Sequence, residues 1–339
     1  MPHPHATALN FQGRHQRGLT LVEMMVSLGL GLIVISALLL LLANASQANQ
    51  NLQRSANQLE NGRFVAELLR DEWQMAGFLG EAATTGAQWA DPDPCATTPS
   101  GFSRSPLTLP AAVQGIAAGQ ALGCLSHRLS NTQALVVRRL AADTTAVAAL
   151  SGASQYYVQY SRCNTDPAAT PMVFDHVAAQ FTLRDRACTA ASPLRAVVVQ
   201  IFFIAECNRC GSGGDNVPTL KRMDLVGSQW VETALVDGVE ALRLEYGLDT
   251  DNNGAPDMFL TALTNDPALA TSKWSNVMAL RVHYVTRSVD KTAGAALSAA
   301  QTLVLGNTGS LSTAQDGYVR QAYSSTIRLV NPSAAREVQ

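Results

Sequence analysis

An uninterrupted apolar run near the amino terminus constrains this chain more than any other feature of its sequence. The residues from Met24 to Ala43 include no charged side chain. A helix needs about 20 apolar residues to cross the hydrocarbon core of a bilayer, and this run supplies them. We therefore predict a single membrane-spanning helix over residues 19–43.

One acidic residue, Glu23, lies at the start of this run. A carboxylate at the centre of a membrane costs roughly 2.5–3.5 kcal/mol, and less near the interface. Such a residue is therefore a candidate for function, and a positive charge on a partner would offset its cost. The alternative is a plain membrane anchor in which the Glu23 side chain reaches back to the interface.

Basic residues before the span predict its orientation. Arg14 and Arg17 precede the run, and no acidic residue occurs upstream of Glu23. Basic flanks tend to remain in the cytoplasm. We therefore expect the rest of the chain on the other side of the membrane.

The heptapeptide Arg17–Glu23, with the sequence RGLTLVE, resembles the processing motif of type IV prepilins and type II secretion pseudopilins. The resemblance implies that prepilin peptidase cleaves between Gly18 and Leu19 and that the new amino group of Leu19 is then methylated. Leucine stands where the family usually has phenylalanine. The resemblance also implies that Glu23 pairs with the terminal amine of a neighbouring subunit, which would supply the positive charge.

The helical pattern continues beyond the membrane span. Apolar and small residues recur every three or four positions, which is typical of one face of a helix: Leu52, Ala56, Leu59, Gly62, Ala66, Leu69, Trp73 and Ala76. No proline interrupts residues 5–91. The segment 60–80 resembles the end of the long helix in PilW-family minor pilins and J-type pseudopilins, and Arg320–Asn331 resembles the last strand of PilW-type proteins.

Strand patterns dominate the second half of the chain. Valine, isoleucine and aromatic residues are concentrated in Ala134–Leu140, Gln155–Tyr160 and Leu194–Ala205, whereas residues 82–132 are rich in Pro, Gly, Ser and Thr and read as irregular. Later strands alternate, and His283 falls on an outward face that we expect to be solvated. We predict an α+β fold in which a long N-terminal α-helix packs on an antiparallel, strand-rich, pilin-like globular domain.

These observations divide the chain into four predicted parts. They are a prepilin leader (1–18), a transmembrane or filament-core helix (19–43), an amphipathic continuation of that helix (44–80) and a periplasmic strand-rich domain (81–339).

Six cysteines all follow the span: Cys95, Cys124, Cys163, Cys188, Cys207 and Cys210. An even number in a compartment reached across a membrane indicates disulfides, although six cysteines allow 15 connectivities. Our hypothesis is that neighbours along the chain pair with one another. For Cys207 and Cys210 a zinc half-site and a redox pair are the alternatives.

The segment Asp249–Asp257 is the best candidate for a metal site. Its sequence DTDNNGAPD has oxygen-bearing side chains at positions 1, 3, 5 and 9 and glycine at position 6, as in the first part of an EF-hand calcium loop. The calcium ligands would be Asp249, Asp251, Asn253, Asp257 and the carbonyl of Ala255. Position 12 is Leu260 instead of glutamate. The alternative is a hairpin loop in which these residues only satisfy turn geometry.

Charge and motifs argue against two other classes of function. The net charge is −2, which does not favour binding of nucleic acid by the whole chain. No Walker loop, dinucleotide fingerprint or hydrolase elbow occurs in the sequence, and His127 and His176 are isolated. We therefore expect no enzymatic activity and no required cofactor; a calcium ion is a candidate ligand only.

The resemblance implies a minor pilin, similar to PilW, in the initiation or tip complex of a type IV pilus. Its partners would be other minor pilins, the major pilin, the inner-membrane assembly platform, prepilin peptidase and a tip adhesin. It would be a single-pass inner-membrane protein with a periplasmic globular domain, and would lie at the pilus tip after assembly. The alternatives are a J-type pseudopilin of type II secretion and a periplasmic binding module that uses residues 19–43 only as an anchor.

Overall fold

A computed structural model describes residues 18, 20–82, 86–150, 154–167, 171–263, 273–291 and 300–337. The predicted leader up to Arg17, and Leu19 of the predicted cleavage site, lie outside these residues. The chain divides into two compact units, Met1–Ser55 and Ala56–Gln339.

The first unit contains the beginning of a long helix, α1 (Leu21–Gln74). Its stretch Leu21–Gln50 has a mean hydropathy of 2.7 and is long and apolar enough to cross a membrane. None of that stretch is buried within the chain. An apolar surface of this extent is unfavourable in water, so the stretch is suited to lipid or to other apolar helices.

In the second unit, the remainder of α1 packs one face against the sheets. Val65, Leu69 and Trp73 are fully buried along this face, at helical spacing. Trp73 contacts Phe202 edge to face, with ring centroids 5.8 Å apart. The side chain of Asn331 donates to the carbonyls of the last turn, at Gln74 (3.3 Å) and Ala76 (3.2 Å), which satisfies acceptors left free by the end of the helix.

The other elements follow in chain order: β1 (Gln88–Ala90), β2 (Ser103–Arg104), β3 (Leu107–Pro110), β4 (Val113–Ile116), β5 (Ala134–Leu140), β6 (Tyr157–Tyr160), β7 (Met172–Asp175), β8 (Leu194–Ala205), β9 (Thr219–Val226), β10 (Gln229–Asp237), β11 (Val239–Leu248), β12 (Met258–Leu260), β13 (Val277–Arg287), β14 (Gln301–Val304), β15 (Ser310–Thr313), β16 (Arg320–Arg328) and α2 (Val330–Glu337).

Two antiparallel sheets form the body of the second unit. The large sheet has the order β10-β9-β8-β5-β4, and β6 with its partner β7 is attached to β8. The second sheet has the order β12-β11-β13-β16. The strands of β1-β3-β2 and the hairpin β14-β15 form smaller sheets. The long helix and antiparallel sheets confirm the predicted α+β architecture.

Both faces of the large sheet are covered. One face packs with α1 and the second sheet in a core that includes Phe202 and Ile204. The other face packs against the segment around β1–β4 and against β6 and β7, in a core that includes Ile201 and Phe203. This double burial explains why β8 reads as an almost continuous apolar run instead of an alternating one.

Residues 82–132 are more regular than the sequence predicted. They include β1 to β4, and β4 extends the large sheet by pairing with β5. Strands of two to four residues give too short an alternation to be recognised among prolines and glycines. Tertiary pairing stabilises them here.

The expectation of a solvated His283 is wrong. The residue is only 4% exposed because the β14–β15 hairpin packs over this face of the second sheet, where Leu305 contacts Ala241 and Val285. The ring nitrogen Nε2 lies 2.9 Å from the carboxylate of Glu245. An apolar cover thus encloses a polar pair whose histidine the alternating pattern had placed in water.

Glu245 is the centre of this buried polar group. Its carboxylate accepts hydrogen bonds from the Asn307 N–H (3.0 Å) and from the Arg281 guanidinium (2.9 Å) besides contacting His283. Burial alone would raise the pKa of Glu245, but these hydrogen bonds and the positive charge of Arg281 hold it below its ordinary value.

Candidate assembly, cation and disulfide sites

The predicted processing and assembly residues lie at the start of α1. Gly18 is exposed, and Glu23 is exposed in the first turn of the helix. The Glu23 N–H donates to the hydroxyl of Thr20 (3.3 Å), so Thr20 caps the helix and Glu23 occupies the third helical position. A carboxylate there also interacts favourably with the helix dipole. The T-x-x-E spacing is the signature of a capping box, a signal that our sequence analysis missed.

The second half of α1 is held against the second sheet by two tyrosines. The Tyr284 hydroxyl donates to the carbonyl of Gly62 (2.6 Å), and the Tyr323 hydroxyl donates to that of Gln58 (3.1 Å). The two rings are stacked with centroids 5.3 Å apart. A Cβ atom on residue 62 would lie 2.2 Å from Cζ of Tyr323, so only glycine allows this close approach.

A charged cluster fixes the loop before β16. The guanidinium of Arg320 pairs with Asp316 (2.6 Å) and with Glu240 (2.8 Å). The hydrogen bond from Arg320 holds the pKa of Asp316 well below its ordinary value. In the same loop the carbonyl of Val319 accepts a hydrogen bond from the Gln58 side chain of α1. The cluster therefore positions a second contact for the helix.

The opposite face of α1 in this unit is exposed and partly apolar. Leu59 is 46% exposed and Phe64 is 50% exposed. Exposed charged residues, Glu60, Arg63 and Glu67, lie between and beside them. Their spacing of three and four residues makes one continuous helical stripe, which is a candidate contact surface.

The predicted calcium loop joins β11 to β12. Carboxylate oxygens of Asp249, Asp251 and Asp257 all lie within 4.8 Å of one another. Asp249 is buried, whereas the other two are exposed. Asn253, in contrast, donates its side-chain amide to Asp251 (2.9 Å), and its oxygen accepts the N–H of Ala255 (2.7 Å). The loop thus brings the three predicted carboxylates together.

An arginine from the C-terminal helix occupies part of this loop. Arg336 of α2 donates to Asp249 Oδ2 (3.0 Å) and to the side chain of Asn276 (2.6 Å). Burial would raise the pKa of Asp249, but the Gly254 N–H and Arg336 lower it. A donor set of carboxylate oxygens fits calcium. The ion would bind at the exposed side of the loop, because Arg336 already neutralises Asp249.

Three disulfides join Cys95 to Cys124, Cys163 to Cys188 and Cys207 to Cys210. These are the neighbour pairs expected from the order of the cysteines. The first two close loops with sequence separations of 29 and 25 residues, in the regions that carry β1–β4 and β6–β7. Such bridges restrict the unfolded chain, and each contributes roughly 2–4 kcal/mol.

Comparison with known proteins identifies two regions. Residues 13–39 match the model of the prokaryotic N-terminal methylation motif, and residues 201–331 match that of the type IV pilus-assembly protein W family, PilW. No curated protein sequence matches the chain significantly.

Among solved structures, the chain is similar to a type IV-like pilin from Thermus thermophilus. The sequences are 10% identical, and the likeness covers 82% of this chain and 98% of that chain with a TM-score of 0.35.

Proposed function

Because the chain is a PilW-family minor pilin that takes part in type IV pilus assembly, we propose that it acts in the complex that initiates the filament and then lies at its tip. The observation that carries the proposal is a single acid, Glu23, at the start of the apolar helical stretch Leu21–Gln50, none of which is buried. In this position the acid is costly in lipid and useful between subunits.

Before assembly the chain waits in the inner membrane with residues 19–43 in lipid. Arg14 and Arg17 keep the amino terminus in the cytoplasm, so the strand-rich domain lies in the periplasm. Cleavage after Gly18 exposes the amine of Leu19. On entry into the filament, that amine and the carboxylate of Glu23 on a neighbouring subunit compensate each other. The partners are other minor pilins, the major pilin and the assembly platform.

The exposed stripe of α1 supports a second contact between subunits. Leu59 and Phe64 add apolar area, and Glu60, Arg63 and Glu67 offer alternating charges to a helix with the complementary pattern. A tip position is consistent with the large strand-rich domain, because its bulk need not be repeated along the shaft. The role is structural and involves no catalysis.

Calcium binding by the Asp249–Asp257 loop belongs to this proposal. The convergence of three carboxylates within 4.8 Å supports it. When bound, the ion would neutralise Asp251 and Asp257 and stiffen the connection between β11 and β12. The alternative is a hairpin loop whose polar groups hydrogen-bond to one another and bind no ion.

Deletion of the gene tests the function, and complementation with the intact sequence is its control. We expect the deletion strain to lose surface pili and twitching motility while it continues to secrete exoproteins. Loss of secretion with normal piliation would instead identify a type II secretion pseudopilin. Immunogold labelling of sheared filaments tests the position, since label along the whole shaft would contradict a tip location.

A further inference from the structure

The disulfide between Cys207 and Cys210 lies next to a buried ammonium group. Cys207 follows the end of β8, and Lys221 of β9 reaches the pair from the neighbouring strand. The Lys221 side chain is only 2% exposed, and its ammonium lies 3.6 Å from the sulfur of Cys210. A buried cation next to sulfur stabilises the thiolate form of a reduced cysteine.

A histidine approaches the same sulfurs from another segment. Residues 127–129 run beside the end of β8, and the Glu206 N–H donates to the carbonyl of His127 (2.8 Å). As a result a ring nitrogen of His127 and the sulfurs of Cys207 and Cys210 all lie within 4.8 Å of one another. Glu232 pairs with Lys221 at 2.6 Å and balances part of its charge.

The sulfurs of the other disulfides contact neutral groups. The sulfur of Cys95 accepts the N–H of Cys124 (3.3 Å), and that of Cys163 contacts the hydroxyl of Thr165 (3.0 Å). The three pairs therefore differ in their electrostatic surroundings, although all are oxidised.

Hydrogen bonds hold the loop that contains Cys210 in addition to its disulfide. The carboxylate of Asp215 accepts the N–H groups of Asn208 (3.0 Å), Arg209 (3.2 Å) and Val217 (3.2 Å). The stabilisation by a disulfide grows with the length of the loop it closes, and this loop has a sequence separation of only 3 residues. Opening the bond would thus cost the fold less than opening either of the others.

We propose that the Cys207–Cys210 pair is a redox-reactive site at which a protein dithiol reduces the bond reversibly. Cys210 is partly exposed and Cys207 is buried, so a thiolate of the dithiol attacks the sulfur of Cys210. The bond between the cysteines breaks, Cys207 leaves as a thiolate that takes up a proton, and a mixed disulfide forms at Cys210.

The second thiolate of the dithiol then attacks the first sulfur of the dithiol, which is bonded to Cys210 in the mixed disulfide. Cys210 leaves as a thiolate beside the Lys221 ammonium, and the dithiol becomes a disulfide. Two electrons have passed to this chain, which now carries two reduced cysteines. The buried ammonium stabilises the leaving thiolate, so it favours the reduced form of this pair.

The order of reduction tests the proposal on the full-length, membrane-extracted protein. The protein is equilibrated with mixtures of reduced and oxidised dithiothreitol, quenched with acid, alkylated and mapped by mass spectrometry. We expect Cys207 and Cys210 to become reduced in more oxidising mixtures than either other pair. Simultaneous reduction of all three pairs, or reduction of this pair last, would overturn the proposal.

Substitutions of Lys221 test the role of the charge. In Lys221→Met, half-reduction of the pair should require a ratio of reduced to oxidised dithiothreitol about tenfold higher than in the wild type, because the thiolate loses its cation. The matched control Lys221→Arg keeps a cation, so its ratio at half-reduction should stay closer to that of the wild type. A midpoint unchanged in Lys221→Met would contradict the mechanism.

Two further measurements distinguish the charge from packing. In a Cys207→Ser background, alkylation of Cys210 by iodoacetamide at neutral pH should be slower with Met than with Lys at residue 221. If the Met variant does not fold, Glu232→Gln provides the opposite change, since it leaves the ammonium unbalanced and should make the pair easier to reduce. Harder reduction of Glu232→Gln would refute the inference.

Discussion

The hydroxyl of Tyr284 lies 2.6 Å from the main-chain oxygen of Gly62 and donates a hydrogen bond to it. This contact joins β13 to α1 where the ring of Tyr323, stacked on Tyr284, leaves no room for a side chain on the helix. The helix therefore packs on the second sheet through its backbone at Gly62. This contact positions the helix so that its next turns bury Val65, Leu69 and Trp73.

Gly62→Ala should destabilise the second unit. In an exposed helix alanine would stabilise by about 1 kcal/mol relative to glycine. Here the added Cβ would lie 2.2 Å from Tyr323, and overpacking of this kind costs about 1–3 kcal/mol. Thermal unfolding of the membrane-extracted protein measures the change. Tyr323→Ala provides the control, because Gly62→Ala should cost much less in that background. An equal cost in both backgrounds would contradict the steric explanation.

Mature protein should begin at residue 19. We expect N-terminal mass spectrometry to find an N-methylated leucine, because the motif ending in Gly18 and Leu19 is a prepilin cleavage site by resemblance. A strain without prepilin peptidase should retain all 18 leader residues, which supplies the control. Mature protein with its leader in cells that assemble normal pili would refute this prediction.

Glu23→Val should block incorporation into filaments while leaving cleavage largely intact. The substitution removes the charge proposed to pair with a neighbouring amine, whereas the cleavage site precedes it. Sheared filaments and membranes are compared by immunoblotting.

Two variants serve as controls for the change at Glu23. Glu23→Gln keeps a polar group of the same shape in the first turn and tests whether charge is required. Asp143→Val removes an exposed acid outside the helix and its exposed stripe, and should leave incorporation normal. If Glu23→Val is incorporated normally, Glu23 has no role in assembly, and residues 19–43 act only as a membrane anchor.

Millimolar calcium should raise the melting temperature of the protein. A ligand that binds only the folded state stabilises it, and the stabilisation grows with the logarithm of the ratio of ligand concentration to dissociation constant. Asp251→Ala should abolish the shift, because Asp251 is one of the exposed carboxylates in the loop. Asp143→Ala, at an exposed site outside the loop, should keep it. If calcium has no effect on the wild type, the loop is a hairpin that binds no ion.

Acid should destabilise the fold partly through Glu245. Its pKa is lower in the folded chain than the roughly 4.3 of an unfolded one, so the folded state binds fewer protons. The contribution is therefore present above pH about 4.3 and is lost as the pH falls through the lower folded-state pKa. Glu245→Gln should lower the free energy of unfolding by about 3 kcal/mol or more at neutral pH, because Arg281 and His283 lose a buried partner.

The pH dependence of unfolding by urea checks this prediction. Glu245→Gln should show a shallower decline in stability below pH about 4.3 than the wild type, since one acid with a lowered pKa is gone. Glu206→Gln, at an exposed residue, should follow the wild type. An unchanged acid profile in Glu245→Gln would contradict the assigned role.

Local patterns predicted much of the fold. The apolar run predicted the helix that begins at Leu21, and the β-branched run Leu194–Ala205 coincides with β8. The Asp, Asn and Gly residues of Asp249–Asp257 indicated a loop, and this segment joins β11 to β12. Each of these features depends on neighbours along the chain, through a period of 2 or 3.6 residues, on turn residues or on total apolar length.

The sequence by itself thus determined the membrane helix, the processing motif and the antiparallel class. Tertiary structure decided which polar residues are buried. The hairpin of β14 and β15 covers Glu245 and His283, and Lys221 reaches Cys210 from the next strand. Burial at these residues depends on segments distant in sequence that pack over a second face, and side-chain periodicity along one strand contains no information about such a cover.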